Sequence, residues 1–432
     1  MSHKFPYKWS LKESDFTKDK GKVFSCFSCG GGSTMGYKLA GFDVIGCNEI
    51  DPKMMEAYIA NHNPKYSYLE SIRDFNNRKD LPDELYNLDI LDGSPPCSSF
   101  SIAGNREQDW GKEKKFNEGQ ANQILDTLFF DYIELAKKLR PKVVVAENVK
   151  GILLGDAAKT YAYRIHQEFD RAGYYMQHWL LDASKMGVPQ RRERVFFIGL
   201  RKDIADPFLW QKDLVTVAPC LKLEFNEPEI LFQDIYVAGL DDRPAAKGKM
   251  FEYWKNRKRG DKNFADTLGR IENRHSCFNN YYVYKDQVPC TMTSNSDVMY
   301  LFDEYRKPNK IESCRMGTWP TDYNFMGCRY HYLIGMSVPP VMIAQISSEI
   351  HSQWLSKLCR KEYWHGKLPD EDDTIPDISI KRHNEKIEEL HSDYQAQIEG
   401  YIRRELAMKE RIAVLTGKDP KYRGPGRPKK RG

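Results

Sequence analysis

No uninterrupted apolar run in this 432-residue sequence nears the roughly 20 residues that span a bilayer. Nor does an apolar stretch follow the basic residues near its start, so no secretory leader is read. A soluble, cytoplasmic protein with no membrane partner is the expectation. Cysteine occurs ten times, but Cys26 and Cys29 form a C-x-x-C pair that has no second such pair to complete it. A four-ligand zinc site needs that second pair, and a long chain without a leader does not read as a disulfide framework, so no metal is expected. Internal repeats are missing too. So is an excess of one charge over most of the length: residues 417–432 hold seven basic side chains against Asp419, and the remaining 59 basic and 60 acidic residues nearly cancel. A polyanionic partner is therefore suggested by a local tail, not by bulk charge.

What is present is ample material for a core. The chain is 41% hydrophobic and 12% aromatic, and at about 150 residues per domain it makes two or three domains. Residues 1–20 are polar and mixed and read as a loose arm. From 21 to 204 apolar strands alternate with helical spacing: Lys22–Ser28, Phe42–Asn48, Leu88–Asp92, Lys142–Ala146 and Arg194–Leu200 as strands, with Pro52–His62, Ile124–Leu139 and Tyr161–Ala172 as helices. That alternation predicts a doubly wound α/β domain around a mostly parallel sheet. Residues 205–288 lose the periodicity and read as a small irregular inserted domain. Residues 289–357 return to the first domain, with helical spacing over Val338–Lys357. Residues 358–416 read as a helical extension, and 417–432 as a basic, Pro/Gly-rich tail.

Four segments carry chemistry. The first is Phe27-Ser28-Cys29-Gly30-Gly31-Gly32 after the opening strand. Glycines there let backbone approach a ligand at a helix N-terminus, and Glu49 at the end of the next strand suits a ribose diol. Any nucleoside-cofactor fold, or a tight turn alone, fits as well. The second is Asp92-Gly93-Ser94-Pro95-Pro96-Cys97, in which two prolines stiffen the loop that presents a thiol. The third is Ala146-Glu147-Asn148-Val149, a carboxylate and an amide at a strand end, where helix capping is the plainer reading. The fourth is Gln190-Arg191-Arg192-Glu193-Arg194, where alternation in extended backbone would project Arg192 and Arg194 together. These residue types converge on one reaction. Carbon 5 of cytosine is a poor nucleophile. A thiolate added at carbon 6 makes it enamine-like, and a carboxyl near N3 with an arginine near the exocyclic oxygen stabilises the charge that builds on the ring. The base must leave the helix stack to be reached.

The order of these motifs resembles that of the DNA cytosine-5 methyltransferases. F-S-C-G-G-G is similar to the family's F-x-G-x-G-G loop, G-S-P-P-C-S-S-F-S to its P-C loop, and P-K-V-V-V-A-E-N-V-K-G to its E-N-V segment. G-V-P-Q-R-R-E-R-V-F-F-I-G resembles its Q-x-R-x-R motif, Cys314–Tyr323 its R-x-Q-x-F-P-D-x-Y segment, and Ile334–Pro340 its closing G-N-x-V-P-P motif. The resemblance covers residues 21–205 and 288–352. It implies a fold of the S-adenosylmethionine-dependent methyltransferase type with a target recognition domain at 205–288, and S-adenosylmethionine as cofactor. It implies Cys97 as nucleophile, Glu147 at N3, and Arg192 and Arg194 on the flipped base. Phe27, Ser28, Cys29, Gly30, Gly31, Gly32, Glu49, Ile50, Asp74, Phe75, Pro96 and Leu128 would line the cofactor pocket, with Ser337 and Val338 closing it. Duplex DNA is the implied partner, with a cognate restriction endonuclease beside it, and the expected state is a nucleoid-associated monomer.

For nucleic acid the expected contacts are Gln190, then Arg257, Lys258 and Arg259 within the Trp254–Lys262 run, and the Tyr281–Tyr284 aromatics for stacking. A solvated surface is the alternative for these last two. Gly426-Arg427-Pro428-Lys429-Lys430 resembles an AT-hook, in which Arg427, Lys429 and Lys430 would meet a narrow minor groove; a generic basic tail reads equally well. The sequence departs from the family at Cys29 (a loop glycine), Ser25 (an acid), Met336 (an asparagine) and Leu333 (a glutamine). Other functions weigh less. Amino-methylating enzymes carry an aromatic where Cys97 stands, and a dehydrogenase lacks a second nicotinamide feature here. A tRNA cytosine-5 methyltransferase of the same family and a silent DNA-binding relative remain alternatives.

Overall fold

The computed structural model describes residues 3–96, 127–211, 214–215, 219–238, 247–274, 276–277, 280–294 and 298–358, together with two-residue strands at 113–114 and 123–124. Cys97, the helical extension beyond residue 358 and the tail with Arg427, Lys429 and Lys430 lie outside the described residues. Seven strands form the main sheet: β1 (Lys22–Cys26), β2 (Asp43–Glu49), β3 (Tyr66–Leu69), β4 (Ile90–Gly93), β5 (Val143–Val149), β6 (Tyr174–Asp182) and β7 (Glu193–Arg201). Their spatial order is β3-β2-β1-β4-β5-β7-β6. The first five run parallel, and β7 is antiparallel to both β5 and β6. This is the doubly wound, mostly parallel α/β sheet expected from the alternation of strands and helices. The chain leaves β1 outward to β2 and β3, then returns to β4 on the other side. That reversal opens a crevice at the carboxyl ends of β1 and β4, where ligands bind in such sheets.

Both faces are covered, which is why the central strands read as continuous apolar runs. On one face α4 (Leu128–Leu139) and α5 (Asp156–Arg171) pack through Phe129, Tyr132, Ile165 and Phe169. On the other, α1 (Gly32–Leu39) lies under α10 (Pro340–Ile350), a helix that returns from the far end of the sequence. Their close approach has a cause: a Cβ at Gly36 would stand 2.4 Å from the Pro340 carbonyl oxygen and 2.5 Å from Ile343 Cβ. Ahead of α10 stand α8 (Lys310–Met316) and α9 (Tyr330–Met336), and the helical run Tyr330–Leu358 is long and apolar enough to cross a membrane. Since 83% of its apolar window is buried within the protein, it is a core element here.

Two segments differ from their sequence-based description. The N-terminal arm is docked, not loose. Trp9 is buried in a core cluster, its Nε1 donates to the Thr318 carbonyl at 2.8 Å, and the Leu11 and Lys12 amides donate to the Asp322 carboxylate at 2.7 and 3.1 Å. Trp9 anchors it, with Phe5, Tyr7, Leu11 and Phe16 packed against the core beside it. The inserted region is also not one domain over 205–288. Leu221, Leu223, Ile230, Phe232 and Ile235 join the main core. A separate aromatic cluster joins α6 (Lys249–Lys255), α7 (Phe264–Glu272) and the paired strands β8 (Tyr282–Val283) and β9 (Tyr300–Leu301), carrying the small module past residue 300.

Candidate active site

The loop after β1 wraps back on the end of β2. Phe27 and Cys29 both take the left-handed conformation, at φ 53° and 48°, as does Gly31 at φ 82°. Such backbone at non-glycine residues is costly and persists where neighbours over-determine it. Glu49 does that here. Its carboxylate accepts the Cys29 amide at 2.7 Å through Oε2, and the Ile50 and Asp51 amides at 2.9 Å through Oε1. A carboxylate has about four lone-pair directions, so Glu49 keeps room for a further donor. Burial pushes its pKa up against those three N–H groups. Burial, with Glu49 beside it, also pushes the Cys29 thiol up to about 12. Cys29, where the family has glycine, therefore carries both the strain and an inert thiol.

The closing segment meets this loop. A Cβ at Gly32 would lie 2.7 Å from both Ser337 Cβ and the Val338 carbonyl oxygen, so only glycine lets the two segments touch. Tyr323 donates its hydroxyl to the Gly30 carbonyl at 2.7 Å. Phe27, Ser28, Gly30, Glu49 and Ile50 thus lie at the carboxyl ends of β1 and β2, with Ser337 and Val338 closing on the loop at Gly32. Asp74 sits exposed near the start of α3 (Ile72–Asn77), where it accepts the Ser71 hydroxyl at 2.6 Å. Phe75 and Leu128 lie deeper than expected. Both belong to the core, Phe75 stacked on Phe24 with ring centres 5.4 Å apart.

The second half of the site lies at the ends of β4, β5 and β7. Val149 is the register partner of Arg194, and Glu147 is two residues from Val149 on the same face. Arg194 Nε accordingly meets Glu147 Oε1 at 2.8 Å, both side chains largely buried. Burial pushes the Glu147 carboxyl up, while Arg194, Arg192 and the Ser94 hydroxyl pull it back, and the net direction is upward. Asn148 faces the other way and donates to the Pro95 carbonyl at 3.1 Å. The loop that leads to Cys97 is thereby tied to β5 at Pro95.

Several expectations are corrected. Arg192 lies near Glu147 and Arg194 but is not free to meet a base. The residue is 1% exposed, and its guanidinium donates to the carbonyls of Met292, Gly335 and Ser337 at 2.7, 2.9 and 2.8 Å. Gln190 is not free for nucleic acid: it is 1% exposed, donates to the Met316 carbonyl at 3.1 Å and accepts the Met292 amide at 3.0 Å. Arg192 stands just before β7, and there its side chain is taken up by carbonyls of segments that return from far along the sequence, which alternation alone does not reveal. In the small module Arg257 packs its guanidinium 3.4 Å from the Trp254 ring centre and donates to the Trp254 and Phe302 carbonyls. Tyr282 and Tyr284 are likewise buried in that module, not presented for stacking. Lys258 is exposed, and Arg259 is exposed but paired with Asp286. The sequence reading missed two residues: Asn148, read as a capping group, and Tyr323, quoted in a motif without a role. The position of each inside a motif was the available signal.

A family model described as C-5 cytosine-specific DNA methylase matches residues 21–352. The type II methyltransferase M.FnuDI of Fusobacterium nucleatum is 39% identical over 184 residues, which is 42% of this chain and 48% of that protein. The type II methyltransferase M.NgoPII of Neisseria gonorrhoeae is 34% identical over 191 residues, 44% of this chain and 51% of that protein. The chain spans about half the length of both relatives. Among solved structures, a Spodoptera frugiperda DNMT2 variant superposes with a TM-score of 0.51 at 17% identity, covering 76% of this chain and 99% of that one. At that identity the likeness is one of fold.

Proposed function

The chain belongs to the C-5 cytosine-specific DNA methylase family, and on that premise we propose that it transfers a methyl group from S-adenosylmethionine to carbon 5 of a cytosine in a specific duplex DNA sequence. The observation that carries this reading is the buried Glu147–Arg194 pair at 2.8 Å, on the strand whose Asn148 holds the loop before Cys97. The crevice between β1 and β4 fits the cofactor's chemistry: Glu49 retains acceptor capacity for a ribose diol, and Gly30 to Gly32 bring backbone close. Phe27, Glu49, Ile50, Asp74, Ser337 and Val338 would hold it. When bound, S-adenosylmethionine supplies an electrophilic methyl group.

The chain's own residues supply the rest. The Cys97 thiolate bonds to carbon 6 of the extruded base, and the displaced π electrons reach N3, which takes the proton of Glu147. Carbon 5 is then electron-rich enough to accept the methyl group. Arg194 orients Glu147 and donates to the exocyclic oxygen, where charge accumulates. Loss of the carbon 5 proton to water, with return of the N3 proton to Glu147, breaks the bond to sulfur and releases Cys97 as the thiolate. Arg192 acts at a distance, by clamping the segments around Met292 and Ser337 to the strand that bears Arg194.

The test is transfer of labelled methyl from S-adenosylmethionine into duplex DNA, with Cys97→Ala in parallel and bisulfite sequencing of the product. Label at carbon 5 in one sequence context, lost in Cys97→Ala, is the expected result. Transfer into tRNA and not into duplexes would replace the substrate. Cofactor binding with no transfer to either would leave a silent binding protein.

A further inference from the structure

The sheet register lines up four polar side chains across four adjacent strands. Ser25 on β1 is the partner of Asp92 on β4. Asp92 pairs with Val145 on β5, two residues before Glu147 and so on the same face. Glu147 in turn meets Arg194 of β7. The row Ser25, Asp92, Glu147, Arg194 therefore follows the carboxyl edge of the sheet, on the face covered by α1. The reaction derived above uses Glu147 and Arg194 and leaves Asp92 without a part.

Asp92 is 2% exposed, and among the described residues it forms no ion pair. Its partners are hydroxyls: Ser25 Oγ donates to Oδ2 at 2.7 Å and Tyr37 donates to Oδ1 at 3.2 Å. A buried carboxyl held only by neutral donors is an expensive choice at this position. The titratable groups around it are Cys26 from β1, Tyr37 from α1, Tyr58 from α2 (Pro52–His62), Tyr132 from α4 and Glu147 from β5, with Arg192 and Arg194 beyond Glu147. Burial pushes the thiol and the three phenols up, so they stay neutral, and Glu147 is the one other carboxyl among these neighbours.

We propose that Asp92 is a positioning residue of the methyl transfer: with Glu147 it forms a pair of buried carboxyls that shares one proton at neutral pH. This rests on the function proposed above. Interacting carboxyls release their protons in two steps that belong to the pair. Between the steps one proton remains, and the fraction of it on Glu147 does not change with pH. A lone Glu147 beside Arg194 would instead lose its proton about tenfold per pH unit above its own pKa. Burial carries both carboxyls upward, Asp92 to about 7 with Glu147 adding to the rise. Asp92 thereby widens the pH range over which Glu147 can protonate N3.

The experiment is the single-turnover rate of methyl transfer against pH for the full chain with S-adenosylmethionine and its duplex, comparing the parent with Asp92→Asn and Ser25→Ala. Asparagine keeps the shape and the hydroxyl contacts. Its alkaline limb should fall about one pH unit lower, with cofactor and DNA dissociation constants unmoved. Ser25→Ala withdraws a donor from the charged carboxylate, so its limb should move upward. A rate lowered equally at every pH in Asp92→Asn, with the limb in place, would overturn the proposal and leave Asp92 a structural residue. Limbs moving the same way in both variants would overturn it too. If Asp92→Asn does not fold, the direction of the Ser25→Ala limb decides. If the parent transfers no methyl group, the function fails first. The pair is then judged by carbon-13 NMR titration of the two carboxyls, where independent single-step curves would refute it.

Discussion

Two arginines two positions apart do opposite work. Arg194 meets a carboxyl in the site, whereas Arg192 satisfies three backbone carbonyls in the core. Arg194→Lys, which keeps a cation beside Glu147 and loses the planar fork, should lower the rate of methyl transfer about 100-fold or more, with the melting temperature little changed. Arg192→Ala should cost about 3 kcal/mol or more of stability, because buried carbonyls lose their donors and a cavity opens. Thermal denaturation beside single-turnover rates separates the two. Asp92 also sets a pH dependence of stability. Its folded pKa stands above the unfolded value, so the folded state keeps a proton the unfolded chain has lost, and stability falls as pH rises from about 4 to about 7. Asp92→Asn removes that loss. Its melting temperature relative to the parent should rise across this window, by no more than about 4 kcal/mol in stability. His62 has the opposite sign on the acid side. Burial pushes it down to about 3, so stability drops as pH falls below about 6.5. A parent-to-variant difference that is flat with pH would contradict the Asp92 assignment.

Elements meet here through contacts that local propensity does not reveal. Gly36 lies inside α1, where alanine is the better helix former by about 1 kcal/mol. The structure reverses that sign, since a Cβ there would run into Pro340 and Ile343 of α10. Gly36→Ala should destabilise by about 1–3 kcal/mol in a denaturant titration; a stabilised variant would mean that the two helices are not in contact. The N-terminal arm reaches the glycine loop after β1 by a short chain of bonds. Leu11 and Lys12 hold Asp322, and the next residue, Tyr323, holds the Gly30 carbonyl. Trp9→Ala should therefore weaken cofactor binding in calorimetry more than it weakens DNA binding. Equal effects on both would reduce the arm to general support.

At the scale of the whole molecule, one sheet edge gathers segments from residue 27 to residue 338. The first domain is continuous in space and discontinuous in sequence, because α10 packs on α1. The small aromatic module is held by its own cluster, so its surface can vary without disturbing the sheet. Exchanging residues 247–305 for those of a relative should change the methylated sequence and leave cofactor affinity unchanged, read by bisulfite sequencing and calorimetry. Removing residues 417–432, with seven basic side chains, should weaken DNA binding and flatten its dependence on salt. The difference in slope between the full and the shortened chain measures how many phosphates the tail neutralises.

The sequence by itself marked the five inner strands of the sheet and singled out Glu147 and Arg194 as candidates, because apolar periodicity and local motifs are written in consecutive residues; the edge strands β3 and β6, half-buried and less apolar, it did not mark. It also marked the glycine loop and Glu49, which sit at strand ends that periodicity locates. Tertiary structure decided the rest. Whether Arg192 faces a base or the core depends on carbonyls about 100 to 145 residues away. Whether the arm docks depends on a pocket built at Thr318–Asp322, and the limits of the inserted module depend on which aromatic rings find one another. Asp92 and Glu147 belong to one row only because β4 and β5 lie side by side in register. These are contacts between distant segments, and no local pattern of side chains encodes a partner that the fold has yet to bring near.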